Sequence, residues 1–257
     1  MPYFTEKSLV EDYLMNKLVE KGWTFKAAED LERDNYEEPL LIPELIRCLN
    51  KLNAEKGIGP EEVNQVINEL KLKSTGPEAA KQLLNYLKNG VPIKFEKDRL
   101  LKYVRLFDYN QLENNKFVVT RQPHHVSGDN KIINDIILYV NGIPLVNIEC
   151  KNPASFSENW YSAYKQIKEY EREVPELYKY VQIGVAAEQT AQYFPIVPWQ
   201  EDVRHYEWKG EDKDPLNALM EMLQPATLLK IIRDYLFYRV EFGSFTKVLP
   251  RYMQYRS

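Results

Sequence analysis

Cysteine is scarce in this sequence. Its two cysteines, Cys48 and Cys150, lie far apart, which excludes a cysteine-based metal site by number and leaves reduced, structural thiols as the simplest reading. No run of 18 apolar residues occurs and the N-terminus carries no signal-peptide hydrophobic segment, so a cytoplasmic protein without a membrane span is expected. An excess of positive charge is missing too: 34 Lys and Arg stand against 38 Asp and Glu, for a net charge of −4. An autonomous duplex binder is usually basic, so contact with nucleic acid must come from a local patch or from a partner. There is no Gly-x-x-x-x-Gly-Lys-[Ser/Thr], hence no phosphate-cradling loop and no ATP motor in these 257 residues. Nor is there an internal repeat or a low-complexity tract.

What is present is an ordinary globular composition, 44% apolar and 28% charged, in a length that suits one domain or one domain with an elaboration. The chain is organised around Asn134–Lys151. Two runs rich in β-branched and aromatic residues flank Asn141-Gly142, the strongest short-range hairpin signal. Asp135 opens the first strand; Glu149 and Lys151 close the second. Residues two apart in a strand share a face, so the Glu149 carboxylate and the Lys151 amine project together. Charges on a sheet face are costly to bury without a metal or partner.

Before this hairpin, a helix is expected over Thr5–Lys21, where Ser8 to Glu11 fits a capping box and Thr5 is a rival cap. Trp23–Phe25 reads as an edge strand. Helical periodicity then fills Leu40–Asn89 in three helices, begun by Pro and ended by Gly. Leu101–Phe107 and Phe117–Arg121 read as strands, and Gln122–Asn130 as a polar loop. After the hairpin, Ser157 is the expected cap of a helix over Glu158–Glu173, followed by a strand over Val181–Ala187. Strand, helix, strand at this spacing implies a right-handed crossover and a parallel pair, so the sheet is mixed. Val203–Trp208 is a further edge-strand candidate, and Pro215–Val240 reads as two helices broken at Pro225.

Glu-x-Lys alone carries little, since the chain contains it four times. An Asp near a Lys across a hairpin is also commonly a cross-strand ion pair. Context separates Glu149–Lys151 from the others: a strand end, an Asp fourteen residues earlier across a tight turn, and a helix after it. Asp135 and then Glu149-Cys150-Lys151 resemble the active-site signature of the PD-(D/E)xK nucleases, with Asn134 where that family often has Pro. Gln166 and Tyr170 resemble the Gln-x-x-x-Tyr motif of its RecB-like branch. More closely, Asn134–Pro153 is similar to the N-terminal nuclease domain of the type I restriction enzyme R (motor) subunit. That resemblance runs on through the early Glu-bearing helix with Gly22-Trp23 and the tail Val248–Tyr255.

The resemblance implies an α/β, restriction-endonuclease-like core, a central mixed sheet flanked by helices, with a helical elaboration over about residues 43–90. Residues 1–243 would be the nuclease domain and 244–257 a segment leading toward a motor. It implies Mg²⁺ as cofactor, with ATP needed only by the motor, and double-stranded DNA and the modification and specificity subunits as partners. Asp135 and Glu149 would be metal ligands together with the Cys150 backbone carbonyl, and Lys151 would stabilise the attacking oxygen. Gln166 and Tyr170 would orient DNA or Lys151. The early helical glutamate maps to Glu11 or Glu6, with Glu11 preferred, and a plain capping role for Glu11 stays open, as does a core role for Tyr170. His124 and His125 invite a proton-transfer reading, but adjacent strand residues point apart and a polar loop is simpler. Two other classes remain: a stand-alone RecB-like repair nuclease, and a silent assembly module.

Register supplies a geometric condition. A strict two-residue turn at Asn141-Gly142 with regular strands places Glu149 opposite Asn134 and turns Asp135 to the other face. A shared site needs a one-residue offset. A three-residue turn with Gly142 left-handed suits Asn-Gly, and a bulge near Asp135 is the other option.

Overall fold

The computed structural model describes residues 7–97, 99–152, 159–211, 213–241 and 243–257. Helix α1 (Lys7–Glu20) sends Val10, Leu14 and Leu18 into the core at helical spacing and is followed by the short strand β1 (Thr24–Phe25). The helical elaboration comprises α2 (Ile42–Leu52), α3 (Pro60–Lys71) and α4 (Pro77–Asn89), each with Pro in its first turn. Next come β2 (Val91–Lys94) and β3 (Leu101–Val104), which pair with each other as a separate two-stranded ribbon. They lead to β4 (Phe117–Arg121), β5 (His124–Ser127), β6 (Asn130–Ile133) and the central hairpin of β7 (Ile136–Val140) and β8 (Ile143–Cys150). Helices α5 (Trp160–Glu173) and α6 (Pro175–Tyr178) connect it to β9 (Ile183–Ala187) and β10 (Ala191–Pro195). The tail holds α7 (Pro215–Leu223), α8 (Pro225–Lys230), the ribbon of β11 (Phe237–Glu241) with β12 (Ser244–Val248), and α9 (Tyr252–Arg256).

The central sheet has six strands in the order β1-β4-β7-β8-β9-β10. β1 runs parallel to β4 and β8 parallel to β9, while the remaining neighbours are antiparallel, so the sheet is mixed as the β8–α5–β9 crossover requires. One face carries Ile136, Leu138, Ile148 and Val185 against Val10 and Leu14 of α1. The other carries Ala186 and Phe194 against Ala163 and Ile167 of α5. The two helices that bear the expected site residues thus cover opposite faces.

The hairpin meets the register condition by a different route from the favoured one. Asn141 (φ 52°) and Gly142 (φ 82°) are both left-handed, the signature of a tight two-residue turn. Val140 faces Ile143 and Tyr139 faces Pro144; Leu138 then faces Val146, so Leu145 is an extra residue bulged from β8. The offset therefore arises within β8, neither in a three-residue turn nor beside Asp135. Leu145 is wholly buried in the core, and its carbonyl accepts from the Gln182 N–H at 2.8 Å, which holds the bulge in place.

Other expectations need correction. Gln122–Asn130 is not a polar loop: it enters the β5–β6 ribbon, whose alternation buries His125 and leaves His124 half-buried. Val203–Trp208 makes only one bridge, in which Tyr206 and Tyr193 exchange both backbone hydrogen bonds. Trp208 then turns inward against Tyr252 and Tyr255. Helix α5 is capped by Asn159, whose side chain accepts from the Tyr161 and Ser162 N–H groups; Ser157 and Glu158 lie outside the described residues. After α8 the chain makes a π turn, Ile231–Tyr235, and enters strand β11 instead of continuing as helix to Val240. As a matter of position alone, and without bearing on the expected division, residue 243 lies in the β11–β12 turn and Leu249 beyond it is buried in the main core.

Candidate active site

With the bulge in place, the ladder ends with Ile136 facing Ile148, and Asp135 and Glu149 come next on the two strands. The Asp135 N–H donates to Glu149 Oε1 at 3.2 Å, and the Cys150 N–H donates to Asp135 Oδ2 at 2.8 Å. Each carboxylate is thus oriented by the backbone of the opposing strand. Glu149 is fully buried and Asp135 nearly so.

Lys151 continues on the Glu149 face, anchored by its N–H to the Ala187 carbonyl at 2.9 Å. Its Nζ donates to Gln166 Oε1 at 2.6 Å. Gln166 Nε2 in turn donates to Glu149 Oε2 at 3.1 Å and to the Tyr170 hydroxyl at 2.7 Å. Gln166 and Tyr170 are i, i+4 neighbours on α5, so they line one side of the helix. The helix stands on the β8–β9 surface, where Gln166 bridges the carboxylate and the amine of the Glu-x-Lys. The structure brings Asp135, Glu149, Lys151, Gln166 and Tyr170 into one hydrogen-bonded group.

Glu11 enters from the other face of the sheet. It is 2% exposed, and its Oε2 accepts from Arg121 Nε at 2.7 Å and from Gln122 Nε2 at 3.3 Å. Gln122 also donates its backbone N–H to the Asp135 carbonyl at 2.9 Å, which ties Glu11 to the Asp135 strand end through one residue. Glu6 lies outside the described residues. Sequence reasoning passed over Arg121 and Gln122, whose partner lies 110 residues away. The one local cue was that Gln122 precedes Pro123, which steers it away from right-handed helix.

A buried polar network supports the same strand ends. His125 Nδ1 meets Asn134 Oδ1 at 2.9 Å, and its Nε2 lies 3.4 Å from the Tyr139 hydroxyl. Asn134 Nδ2 and Asn147 Nδ2 both donate to the Tyr178 hydroxyl, at 3.2 and 2.7 Å. Desolvation, with Arg33 nearby as a lesser cause, pushes the His125 imidazole down to about 3, so it is neutral at pH 7. The unfolded chain then binds more protons than the folded one between about pH 6.5 and 3, and stability falls as pH drops through that window. Chemical denaturation at stepped pH should show a shallower acid loss for His125→Gln than for the wild type.

Among the described residues, no group of three or more His, Cys, Asp or Glu side chains is arranged as a metal cage. Two adjacent carboxylates are the donor set offered, and they are hard oxygen ligands of the kind Mg²⁺ takes while keeping several waters. Such a pair suits hard, oxygen-seeking divalent cations as a class. No helix among the described residues is long and apolar enough to cross a membrane.

Residues 3–203 match the family model of the type I restriction enzyme R protein N terminus. The chain belongs to that family. Among similar proteins is one of Methanocaldococcus jannaschii provisionally named the type I restriction enzyme MjaVIIIP endonuclease subunit, 34% identical over 94% of this chain and 23% of its own length. Another is the type I restriction enzyme HindI endonuclease subunit of Haemophilus influenzae, 28% identical over 96% of this chain and 25% of its own length. The chain therefore spans about a quarter of the curated relatives it matches. The family match contains every residue of the hydrogen-bonded group and Glu11.

Proposed function

We propose that this chain is the Mg²⁺-dependent DNA endonuclease unit of a cytoplasmic type I restriction complex. The observation that carries the proposal is the Leu145 bulge, which sets Asp135 opposite Glu149 while Gln166 joins Glu149 to Lys151. Names of the relatives, all type I endonuclease subunits, support it. Asp135 and Glu149 would hold the ion, with the Cys150 carbonyl as a third oxygen. Once bound, Mg²⁺ would neutralise charge on the phosphate and favour ionisation of water.

The chain's own residues do the rest. Hydrolysis forms one P–O bond to water, breaks another, and leaves a proton on the departing oxygen. Lys151 is a compact point charge that offsets the negative charge growing on the attacked phosphate. Gln166 fixes the Lys151 ammonium by accepting from it, and Tyr170 fixes the Gln166 amide; this restricts a flexible stem to one position. Glu149 and Asp135 are oriented by backbone N–H groups before any ligand arrives. With a net charge of −4, the chain is suited to receiving duplex DNA from modification and specificity subunits, and ATP would serve a motor elsewhere in the full subunit.

Nicking of supercoiled plasmid by the full R subunit in its assembled complex tests this. The wild type should nick only with Mg²⁺, and Asp135→Ala and Glu149→Ala should lose at least about 10²-fold in rate. Equal nicking by all three proteins would refute the assignment.

A further inference from the structure

We infer that Arg121 and Gln122, at the outer end of β4, are positioning residues that hold the Glu11 carboxylate beside the strand end bearing Asp135. The purpose of this device rests on the nuclease reading; its geometry does not. Arg121 faces Ile136 in the β4–β7 ladder, and Gln122 continues that ladder by donating its N–H to the Asp135 carbonyl at 2.9 Å. Arg121 thereby projects to the face that α1 covers, and both side chains meet one carboxylate oxygen there. Arg121 Nε and Gln122 Nε2 converge on Glu11 Oε2, at 2.7 and 3.3 Å, while Arg121 Nη1 pairs with Asp12 on the next position of α1. Two donors on one oxygen fix the rotation of the carboxylate, and the two-pronged grip on Glu11 and Asp12 fixes the roll of α1 about its axis.

The backbone of Gln122 argues that the side chain is used. Its φ is +51°, a left-handed conformation for which Gly or Asn is the ordinary occupant. The turn itself is served by the backbone N–H, so a glycine would make it with less strain. Glutamine adds only the amide, and the amide goes to Glu11. A simple ion pair between Glu11 and Arg121 would need neither feature.

Two variants of the full chain test the inference, Gln122→Gly and Arg121→Lys. They are read by the ¹³C-carboxyl titration midpoint of Glu11, by Mg²⁺ affinity from calorimetry, and by thermal midpoint. Gln122→Gly should leave the thermal midpoint unchanged or raised. The Glu11 midpoint should move up, because a donor to the charged form is gone, and Mg²⁺ binding should weaken. Arg121→Lys keeps the charge but loses the fork, and should weaken Mg²⁺ binding by roughly tenfold. If Arg121→Lys fails to fold, Gln122→Gly decides alone. A Glu11 midpoint unmoved in Gln122→Gly would make Gln122 a plain turn residue and overturn the inference. Tighter Mg²⁺ binding by Arg121→Lys would also overturn it, since Arg121 would then hinder the strand end bearing Asp135 instead of supporting it. Should the wild type bind no Mg²⁺, the nuclease reading fails, and the Glu11 midpoint by itself decides the positioning role.

Discussion

Lys151→Ala should lower Mg²⁺-dependent nicking by about 10²–10³-fold while leaving the fold and Mg²⁺ binding intact. The two effects separate because Lys151 donates to Gln166, whereas the carboxylates are oriented by backbone N–H groups that the substitution does not touch. Lys151→Arg should not restore the rate. The ammonium is a point donor that fits the single Gln166 oxygen at 2.6 Å, and a planar fork cannot take the same place between Gln166 and a phosphate. Gln166→Ala should cost less, about tenfold, because the charge remains and only its placement loosens. The measurements are initial nicking rates for the three variants, with calorimetric Mg²⁺ titrations beside them. A Lys151→Ala protein that nicks at the wild-type rate would remove the amine from the mechanism.

Gly142→Ala should cost about 3 kcal/mol of stability, a large effect for one methyl group. Gly142 is left-handed at φ 82°, and an added Cβ would stand 2.6 Å from the Leu41 carbonyl oxygen and 3.0 Å from the Leu45 nitrogen. Those are backbone atoms at the start of α2 and cannot swing aside. The same place is stitched together by the Leu41 N–H donating to the Gly142 carbonyl at 2.9 Å. Either α2 retreats from the hairpin tip or the turn changes type. A change of turn type has a second consequence, because Leu145 corrects the register once. One further slip would turn Glu149 away from Asp135. Gly142→Ala should therefore lower both the denaturation midpoint and the Mg²⁺ affinity of the folded fraction. Wild-type stability in this variant would mean that the tip contacts are looser than the structure shows.

Local rules made the hairpin and half of the site legible, although the favoured three-residue turn is in fact a two-residue one with the bulge at Leu145. Asn141-Gly142 requires positive φ at both positions, which few other pairs tolerate, so the hairpin could be read directly. Glu149 and Lys151 share a face by the two-residue period of a strand, and Gln166 and Tyr170 share a side of α5 by helical spacing. Whether Asp135 joins them was not a local matter. It depends on which residue bulges, and Leu145 bulges because its side chain fills the core and its carbonyl is taken by Gln182.

What was misread is short or long-range. The β5–β6 ribbon has four-residue strands with polar faces, so Gln122–Asn130 looked like a loop; only burial against Asn134 and Tyr139 reveals why His125 is there. Ser157 and Asn159 are both good caps two residues apart, and sequence cannot rank them. Arg121 and Gln122 acquire meaning only when α1 is laid beside β4, a contact between segments 110 residues apart.

Calorimetric titration of the chain with Mg²⁺, beside Asp135→Asn and Glu149→Gln, tests the metal centre most directly, because it needs neither DNA nor the rest of the enzyme. The account predicts saturable binding by the wild type and at least roughly tenfold weaker binding by each variant, since each loses one of two charged ligands. Equal heats in all three proteins, or none in the wild type, would contradict it.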